Sequence, residues 1–489
     1  MKKMSSWMRE LAFHYESMRR AYPEERLLIV FDIDGTILDT RHMIAATLKS
    51  YDREQGTGHF RYLTADDIRI HENEIEALLN YLNIIEPERS KIIEWYILNF
   101  WSPEVIIQSH KPFDGVLDVI RWFQLQPQTS VALNTGRPES MRVETLWALN
   151  TLGTEYRIEF SSGLLYMNRG GDPASSKVAG LKAFQEMGYR VVAMIDNEPS
   201  NLRAIAESGS AADVLLLHAD TIFESAPAHI PLGAVAGSHY VITELISEKK
   251  LPKHIEFVWH GVDDESILRQ FLVSNVHWAE MHVRLDPSDD SIIVRRRSFS
   301  EILRSPAETP VRLEYFLAVL KDAGRGLKLD IKEQGILMRV MAMLKDLGFT
   351  DHEVWINRGV NELNVGGLKV IRETFPGAIK QCPVDALGYL IMSSPTEARR
   401  YLTMYSYWGI DRFSVNWRTN ESRRLITRLQ NWGFDVNIYN VPDLESFLQA
   451  ALLLPRSITS YFNFPKWFYT GLSPEAGQPD PFSPRHAAV

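Results

Sequence analysis

Short, almost continuously apolar runs recur along the first half of the chain, each followed by a polar turn and a stretch typical of a helix. Four of these runs are LLIVF (27–31), SVALN (130–134), VVAMI (191–195) and VLLL (214–217), and YRIEF (156–160) is a weaker fifth. Runs that are apolar on both faces are typical of parallel strands covered by helices on each side. The pattern predicts an α/β fold with a doubly wound, Rossmann-like parallel sheet.

A long segment separates the first two runs. Residues 41–110 are rich in helix formers, as in HENEIEALLNYLNIIEPERSKIIEWYILNFW. Ligands bind such sheets at the carboxyl ends of the strands, so we expect this segment to form a helical cap over those ends. The alternative is a helical bundle with a purely structural role.

The same alternation starts again after residue 250. Eight candidate strands are separated mostly by single helical segments: IEFVWH (255–260), HWAEMHVRL (277–285), RGLKLDIK (325–332), EVWINRG (353–359), GAIKQCPVD (377–385), RFSVNWR (412–418), FDVNIYNV (434–441) and SITSYFNF (457–464). This pattern predicts a (β/α)8 TIM-type barrel with its reactive groups at the carboxyl ends of the strands. We therefore expect a first domain over 1–250, a barrel over 251–475 and a flexible Pro/Gly-rich tail over 476–489.

Composition narrows the classes of protein. A chain of 489 residues is too long to fold around one ordinary hydrophobic core. Its net charge of -9 argues against broad electrostatic capture of nucleic acid. Cys382 is the single cysteine, so no internal disulfide can form. The N-terminus lacks the apolar run of a signal peptide, and we expect no membrane span. These features predict a cytoplasmic protein, while its oligomeric state is left open.

Two carboxylates end the first apolar run. Asp32 and Asp34 are two residues apart, so their side chains share a face where the strand leaves the core. Asp-Gly is also common in simple turns, which is the alternative interpretation. Thr135, Lys177 and Asp196 follow later runs or open a helical segment, and strand ends of a doubly wound sheet meet at one crevice. The sequence therefore predicts that these five residues converge.

Four motifs in order, DIDGT, LNTGR, the Lys177 of SSKVAG and IDNE, resemble those of the haloacid dehalogenase-like hydrolase superfamily, which consists mostly of phosphatases. The resemblance covers about residues 25–245. It implies a phosphomonoesterase that acts on a small phosphorylated substrate and uses Mg²⁺. IDNEPSNL is also a little similar to the acidic strand end of a response-regulator receiver, but that interpretation accounts for neither DIDGT nor the helical insertion.

The resemblance also implies roles for the motif residues. Asp32 would be the nucleophile that forms an aspartyl phosphate, and Asp34 would protonate the leaving oxygen and later activate water. The substrate's phosphoryl oxygens would be held by Thr135, Gly136, Arg137 and Lys177. Mg²⁺ would bridge Asp32, the carbonyl of Asp34 and Asp196. Many relatives carry a second aspartate soon after this last position, whereas Asn197 and Glu198 follow here.

Polar residues also end the first three barrel strands. His260 ends the first, Glu280 and His282 share a face of the second, and Asp330 and Lys332 share a face of the next. Two acids, imidazoles and an amine at adjacent strand ends could bind a divalent ion and a phosphate.

These residues lie in WHG, AEMHV and LKLDIK, which resemble the glycerophosphodiester phosphodiesterase barrels and, more closely, the menorin family over about residues 252–470. The resemblance implies that Glu280, position 282 and Asp330 hold a metal ion, that Lys332 binds phosphate and that His260 is an acid-base histidine.

The barrel motifs depart from the family pattern at two places. His282 stands where an acid is expected, and an imidazole ligand favours a softer ion than Ca²⁺. The candidate ions for the barrel are therefore Mn²⁺ and Zn²⁺ first, with Mg²⁺ and Ca²⁺ as the other possibilities. A second acid-base histidine is missing where VRRRS, with Arg295 to Arg297, follows the second strand. Arginine can bind phosphate but cannot act as a general acid at neutral pH.

The leading hypothesis is thus a magnesium-dependent phosphomonoesterase fused to a phosphodiesterase-like barrel that cleaves or binds a phosphodiester. One alternative makes the barrel a noncatalytic binding module that recruits a substrate or partner. A third makes the whole chain a scaffold in which both sites are relict.

Overall fold

The computed structural model describes residues 6–210, 213–221, 229–246, 251–303, 310–333, 335–358 and 360–460. The chain divides into two compact units, Met1–Ile246 and Ser247–Val489. The predicted tail at 476–489 and the last residues of the run SITSYFNF lie outside the described residues. None of the helices in the described part of the chain could cross a bilayer.

The first unit is built on one sheet of six parallel strands in the order β3-β2-β1-β4-β5-β6. Its strands are β1 (Leu27–Phe31), β2 (Thr129–Pro138), β3 (Leu165–Asn168), β4 (Arg190–Asp196), β5 (Leu215–Ala219) and β6 (Val235–Gly237). All five residues of β1 are buried, as its continuous apolar run predicts. The order reverses between β1 and β4, which places a crevice at their carboxyl ends. The predicted doubly wound α/β sheet is confirmed.

Nine helices of the described residues accompany this sheet: α1 (Trp7–Ala21), α2 (Thr40–Gln55), α3 (Ile75–Tyr81), α4 (Glu88–Asn99), α5 (Pro103–Ser109), α6 (Val116–Gln124), α7 (Arg142–Gly153), α8 (Pro173–Glu186) and α9 (Pro199–Glu207). The predicted insertion at 41–110 is helical and contains most of α2 and all of α3 to α5. Its apolar residues, among them Leu48, Phe60 and Ile92, form a core of their own. The insertion is therefore a packed cap and not a loose loop.

The prediction of a strand at YRIEF was wrong. Arg157 adopts a φ of 58°, which interrupts an extended backbone. The Asn150 side chain accepts a hydrogen bond from Phe160 N at 2.7 Å and donates to Phe160 O at 3.1 Å, so it replaces the neighbouring strand that Phe160 would otherwise need. Ile158 and Phe160 are still buried, which explains the apolar pattern. The third strand along the chain is β3 instead.

The second unit is a closed barrel of eight parallel strands. These strands are β7 (Glu256–Trp259), β8 (Trp278–Leu285), β11 (Gly326–Ile331), β12 (Val354–Asn357), β13 (Ile379–Pro383), β14 (Arg412–Asn416), β15 (Asp435–Val441) and β16 (Ser457–Ser460). β16 pairs with β7, and β7 pairs with β8, which closes the ring. All eight predicted strands are confirmed. The short strands β9 (Ile292–Val294) and β10 (Val311–Arg312) extend β8 in antiparallel fashion and were not predicted.

Helices alternate with the barrel strands, as in other (β/α)8 folds. They are α10 (Glu265–Val273), α11 (Leu313–Asp322), α12 (Leu337–Asp346), α13 (Val360–Thr374), α14 (Gly388–Ser393), α15 (Pro395–Trp408), α16 (Ser422–Asn431) and α17 (Leu444–Leu452). The register of β8 and β11 sets Lys328 opposite Glu280 and Asp330 opposite His282. This register decides which charged groups meet inside the barrel.

Candidate functional site

The predicted residues of the first unit meet in one crevice at the carboxyl ends of β1, β2 and β4. A cavity of about 400 Å³ is lined by Asp32, Asp34, Thr135, Gly136, Arg137 and Lys177, together with Asn197 and cap residues. Asp32 directly follows β1, whereas Lys177 lies on α8, where it is buried. Asp196, the last residue of β4, is fully buried beside Lys177. Motifs separated by up to about 160 residues are thus brought to one place.

Lys177 is the central cation of this crevice. Its Nζ lies 2.5 Å from Asp32 Oδ1 and 2.8 Å from Asp196 Oδ2, and it donates to the carbonyl of Asn134 at 2.6 Å. Burial lowers the pKa of Lys177, but Asp196 and Asp32 outweigh burial and hold it above its ordinary value. The ammonium group therefore stays charged, as an electrostatic partner for phosphoryl oxygens must.

Asp32 is surrounded by more negative than positive charge. Burial raises the pKa of its carboxyl to about 8; Lys177 opposes this shift, whereas Asp196 and Asp34 add to it. One lysine thus serves two buried carboxylates, with a third close by. A further cation in the crevice would favour the ionised form of Asp32, which is the form that can attack phosphorus.

Asn197 brings an amide to the place where such a cation would bind. One end of its side chain lies 3.2 Å from Asp32 Oδ2 and 2.9 Å from the main-chain oxygen of Asp34. With its NH₂ group at that end, Asn197 donates to both oxygens. With its oxygen there, three oxygens converge at the spacing of neighbouring ligands around Mg²⁺, about 2.9 Å for metal–oxygen distances of about 2.1 Å. The residues present fit a magnesium ion.

Asp196 has a different set of partners. It accepts hydrogen bonds from Glu198 N at 2.9 Å and from Asn201 Nδ2 at 3.0 Å, in addition to its contact with Lys177. Its side chain therefore fixes Lys177 and the turn after β4. Direct contact between Asp196 and a metal ion stays a prediction.

Arg137 lines the cavity and binds Asp34. Its Nε and Nη2 each donate to a carboxylate oxygen of Asp34 at 2.7 Å, and its Nη1 donates to Thr145 Oγ1 at 3.1 Å. Arg137 is fully buried. Burial and the charge of Arg137 lower the pKa of His110 to about 3, so this imidazole is neutral where its Nε2 meets Arg137 at 3.1 Å. Arg137 therefore orients the Asp34 carboxylate, and its predicted contact with substrate stays a prediction.

Thr135 and Gly136, in the last part of β2, border the cavity. Thr135 Oγ1 accepts a hydrogen bond from Arg137 N at 3.2 Å, which leaves its own hydroxyl hydrogen able to donate. Gly136 is exposed to the cavity, and an added Cβ would touch only Pro173, at 4.0 Å. This part of the cavity wall thus has small side chains and a hydroxyl that can donate a hydrogen bond.

The cap contributes residues that the motifs did not indicate. His71 is buried, with Nε2 3.3 Å from both Glu72 Oε2 and Glu198 Oε1, and its Nδ1 accepts from Asn73 N at 3.2 Å. Burial lowers the pKa of His71, but Glu198 and Glu72 outweigh it and raise the pKa above its usual value. No spacing in the helical insertion distinguishes His71 from its neighbours, so sequence reasoning could not find this contact.

The five predicted barrel residues also share one pocket. His260, Glu280, His282, Asp330 and Lys332 line a cavity of about 470 Å³ at the carboxyl ends of the barrel strands. The rings of His260 and His282 are 5.0 Å apart and nearly perpendicular. Burial, His282 and Arg296 lower the pKa of His260 to about 2, so it is neutral.

Each proposed metal ligand of the barrel already has a protein partner. Glu280 Oε2 lies 3.0 Å from Lys328 Nζ, and Asp330 forms a close ion pair with Lys332. His282 donates from Nδ1 to Asp263 Oδ2 at 2.7 Å, which leaves its Nε2 4.0 Å from Asp330 Oδ2.

Within the described residues, in the crevice of the first unit as well as in the barrel, no three His, Cys, Asp or Glu side chains are grouped so that they could hold a metal ion. The crevice offers the Asn197 amide and the Asp34 carbonyl instead, whereas both acids of the barrel pocket are paired with lysines, so the barrel residues do not fit the implied second ion.

Lys328 and Asp263 are the barrel residues that sequence reasoning missed. Lys328 is two residues before Asp330 in LKLDIK, so the strand period of two already placed it on the same face. Burial lowers the pKa of Lys328, with Glu280 and Asp330 opposing this effect. Asp263 lies in the turn after WHG, where no spacing rule applies.

Comparison with known proteins gives likeness at low identity. No family model and no curated protein matches the chain. Similar solved structures include a glycerophosphodiester phosphodiesterase from Agrobacterium tumefaciens, with 13% identity, TM-score 0.30 and coverage of 44% of this chain and 99% of that one.

Two other similar structures belong to different classes. One is a haloacid dehalogenase-superfamily hydrolase from Geobacter sulfurreducens, with 14% identity, TM-score 0.28 and coverage of 44% of this chain and 92% of that one. Another is orotidine 5'-monophosphate decarboxylase from Methanocaldococcus jannaschii, with 10% identity, TM-score 0.28 and coverage of 43% and 88%. Likeness at this level does not name a reaction, so activity has to be argued from the residues.

Proposed function

We propose that the first unit is a magnesium-dependent phosphomonoester hydrolase that acts on a small phosphorylated substrate through an aspartyl-phosphate intermediate. One observation carries the proposal: a buried carboxylate, Asp32, lies at a strand end between a buried lysine and two further oxygen groups. Lys177 lies on one side at 2.5 Å, and the Asn197 amide and the Asp34 carbonyl meet on the other. A nucleophile, a fixed cation and a cation-binding oxygen set are therefore in contact.

The chemistry follows from the position of each group. Asp32 attacks phosphorus and displaces the alcohol, and water then hydrolyses the acyl phosphate. Lys177 and the Thr135 hydroxyl donate to the phosphoryl oxygens. Asp32, the Asp34 carbonyl and Asn197 would hold Mg²⁺. When bound, the ion offsets the repulsion between the nucleophile and an anionic substrate.

Asp34 supplies the proton for the leaving oxygen. Both of its carboxylate oxygens accept hydrogen bonds from Arg137, and each oxygen keeps a second lone pair that can carry a proton. Arg137 thus fixes the direction of Asp34, which then takes a proton from the attacking water.

The test is a screen of the purified full chain against a panel of phosphomonoesters, with and without EDTA and with Mg²⁺ restored. We expect turnover only with the metal, and trapping with hydroxylamine of an acyl phosphate at Asp32. Metal-independent turnover, or hydrolysis without a trapped acyl phosphate, would contradict the proposal.

The barrel offers a second candidate function, the cleavage of a phosphodiester with a divalent ion at Glu280, His282 and Asp330. Because Lys328 and Lys332 neutralise the two acids, the residues do not support a metal-assisted step there. The alternative role of the barrel, as a binding module, is taken up next.

A further inference from the structure

The barrel pocket is rich in basic side chains. Six arginine and lysine side chains line it against three aspartate and glutamate side chains. Lys328 lies deep in the pocket, while Arg296 and Arg297 follow β9 at its exposed rim. Arg284 is paired with Glu333, and Glu280 and Asp330 are each paired with a lysine, so no acid of the lining at the strand ends is left to attract a second cation.

The strand register determines which charged groups are paired in the buried part of the pocket. Lys328 and Glu280 face each other on β11 and β8, and both are almost fully buried. Lys328 Nζ lies 3.0 Å from Glu280 Oε2 and also donates to Thr459 Oγ1 at 2.9 Å. The Glu280 oxygen has no hydrogen bond of ordinary geometry, but the nearby ammonium balances its charge.

A divalent ion at this place would meet the lysine. Two like charges about 4 Å apart repel each other strongly in a buried site, so the ion could bind Glu280 only if Lys328 moved away or lost its proton. His282, held by Asp263, is oriented as a metal ligand would be. However, the two carboxylates next to it are both already paired.

We propose that the barrel pocket binds a phosphoryl oxyanion without a divalent ion, with the Lys328 ammonium neutralising Glu280 and the cations Arg296, Arg297 and Lys332 binding the phosphoryl oxygens. Planar guanidinium groups match the spacing of phosphate oxygens. This site is independent of the site proposed for the first unit.

Crystals of the full chain provide a direct test. In crystals soaked in millimolar MnCl₂, we expect no anomalous density among Glu280, His282 and Asp330, whereas density beside Asp32 would report the first unit separately. In crystals soaked in inorganic phosphate and EDTA, we expect phosphate within hydrogen-bond distance of Lys332 and of Arg296 or Arg297. Manganese at Glu280, or the absence of phosphate from the pocket, overturns the proposal.

Calorimetry with inorganic phosphate in EDTA measures the contribution of the rim. We expect Lys332→Met to weaken the binding of phosphate to the barrel by about tenfold or more, since charge-assisted hydrogen bonds are lost. Lys345→Met, on the exposed face of α12, is the matched control. The first unit is the same in all three proteins, so a difference between them belongs to the barrel. Equal phosphate affinity in wild type and Lys332→Met contradicts the proposal.

A variant of the buried pair tests the role of Lys328. Lys328→Met removes the ammonium and keeps the stem, so manganese should then appear beside Glu280 in soaked crystals. In the double variant Glu280→Gln/Lys328→Met the pair is neutral, and manganese should be absent. If Lys328→Met fails to fold, the wild-type soak decides. A Lys328→Met barrel that folds and still excludes manganese would show that the lysine does not stand in for a metal ion.

Discussion

The crevice of the first unit and the pocket of the barrel are built from the same kinds of residues at the same kind of place, yet their charged groups are paired differently. In the crevice one lysine, Lys177, serves both Asp32 and Asp196. In the barrel, Glu280 and Asp330 each have a lysine of their own. The first site is thus short of positive charge and suits a metal ion, whereas in the second each acid is already neutralised, which favours an anion over a metal ion. The number of cations per acid, more than the type of residue, decides what each site can bind.

The largest expected effect is the loss of the nucleophile. Asp32→Asn keeps the volume of the side chain but cannot attack phosphorus, so phosphomonoesterase activity should fall by about a thousandfold or more. Steady-state rates on the best substrate of the panel measure this. Asp114→Asn, an exposed aspartate of the same unit, should keep wild-type rates. Activity near wild type in Asp32→Asn would contradict the role of Asp32 as the nucleophile.

Breaking the central ion pair of each unit should lower its free energy of unfolding. Lys177→Met leaves two buried carboxylates without a cation and Lys328→Met leaves one, and removing one partner of a buried pair costs about 3–5 kcal/mol. Denaturant unfolding of the full chain, followed by a probe for each unit, measures both losses. Glu280→Gln should recover most of the loss in the Lys328→Met background. If it recovers nothing, the buried pair is not what stabilises the barrel pocket.

The pH dependence of magnesium binding follows from the pKa of Asp32. Its pKa is raised to about 8, so below that pH the metal-free carboxyl is protonated and Mg²⁺ must displace a proton. Affinity should therefore rise with pH by up to about tenfold per unit and level off above about pH 8. Calorimetry of EDTA-treated protein in buffers of different ionisation enthalpy measures both affinity and proton release. A flat profile between pH 6 and 8 would show that Asp32 is already ionised.

The smallest expected effect concerns Asn197, where the first site also lacks an acid. Asn197→Asp would add an anionic oxygen beside Asp32 and the Asp34 carbonyl, and we expect Mg²⁺ to bind roughly tenfold more tightly. The measurement is the magnesium concentration at half-maximal activity. Asn80→Asp, on the exposed surface of the cap, is the control. Unchanged magnesium affinity would place the ion away from Asn197 and favour the predicted contact with Asp196.

The sequence by itself determined the architecture of both units and the residues at their strand ends. Runs apolar on both faces are typical of covered strands, and the period of two places Asp32 and Asp34, or Asp330 and Lys332, on one face. This reasoning found four of the six strands of the first sheet and all eight barrel strands, and each of the site residues it predicted lies in or beside one of the two sites, while His71, Lys328 and Asp263 were missed. It failed at YRIEF because the Asn150 side chain takes the place of a neighbouring strand.

Only the tertiary structure decided how those charged groups are paired. Lys328 meets Glu280 through the register of β8 and β11, and Arg137 meets Asp34 across 103 residues of chain. Periodicity gives the face of a strand but not the partner opposite, because register depends on how helices and neighbouring strands pack. The balance of charge in each site, and with it the ligand that the site can accept, is a property of that packing.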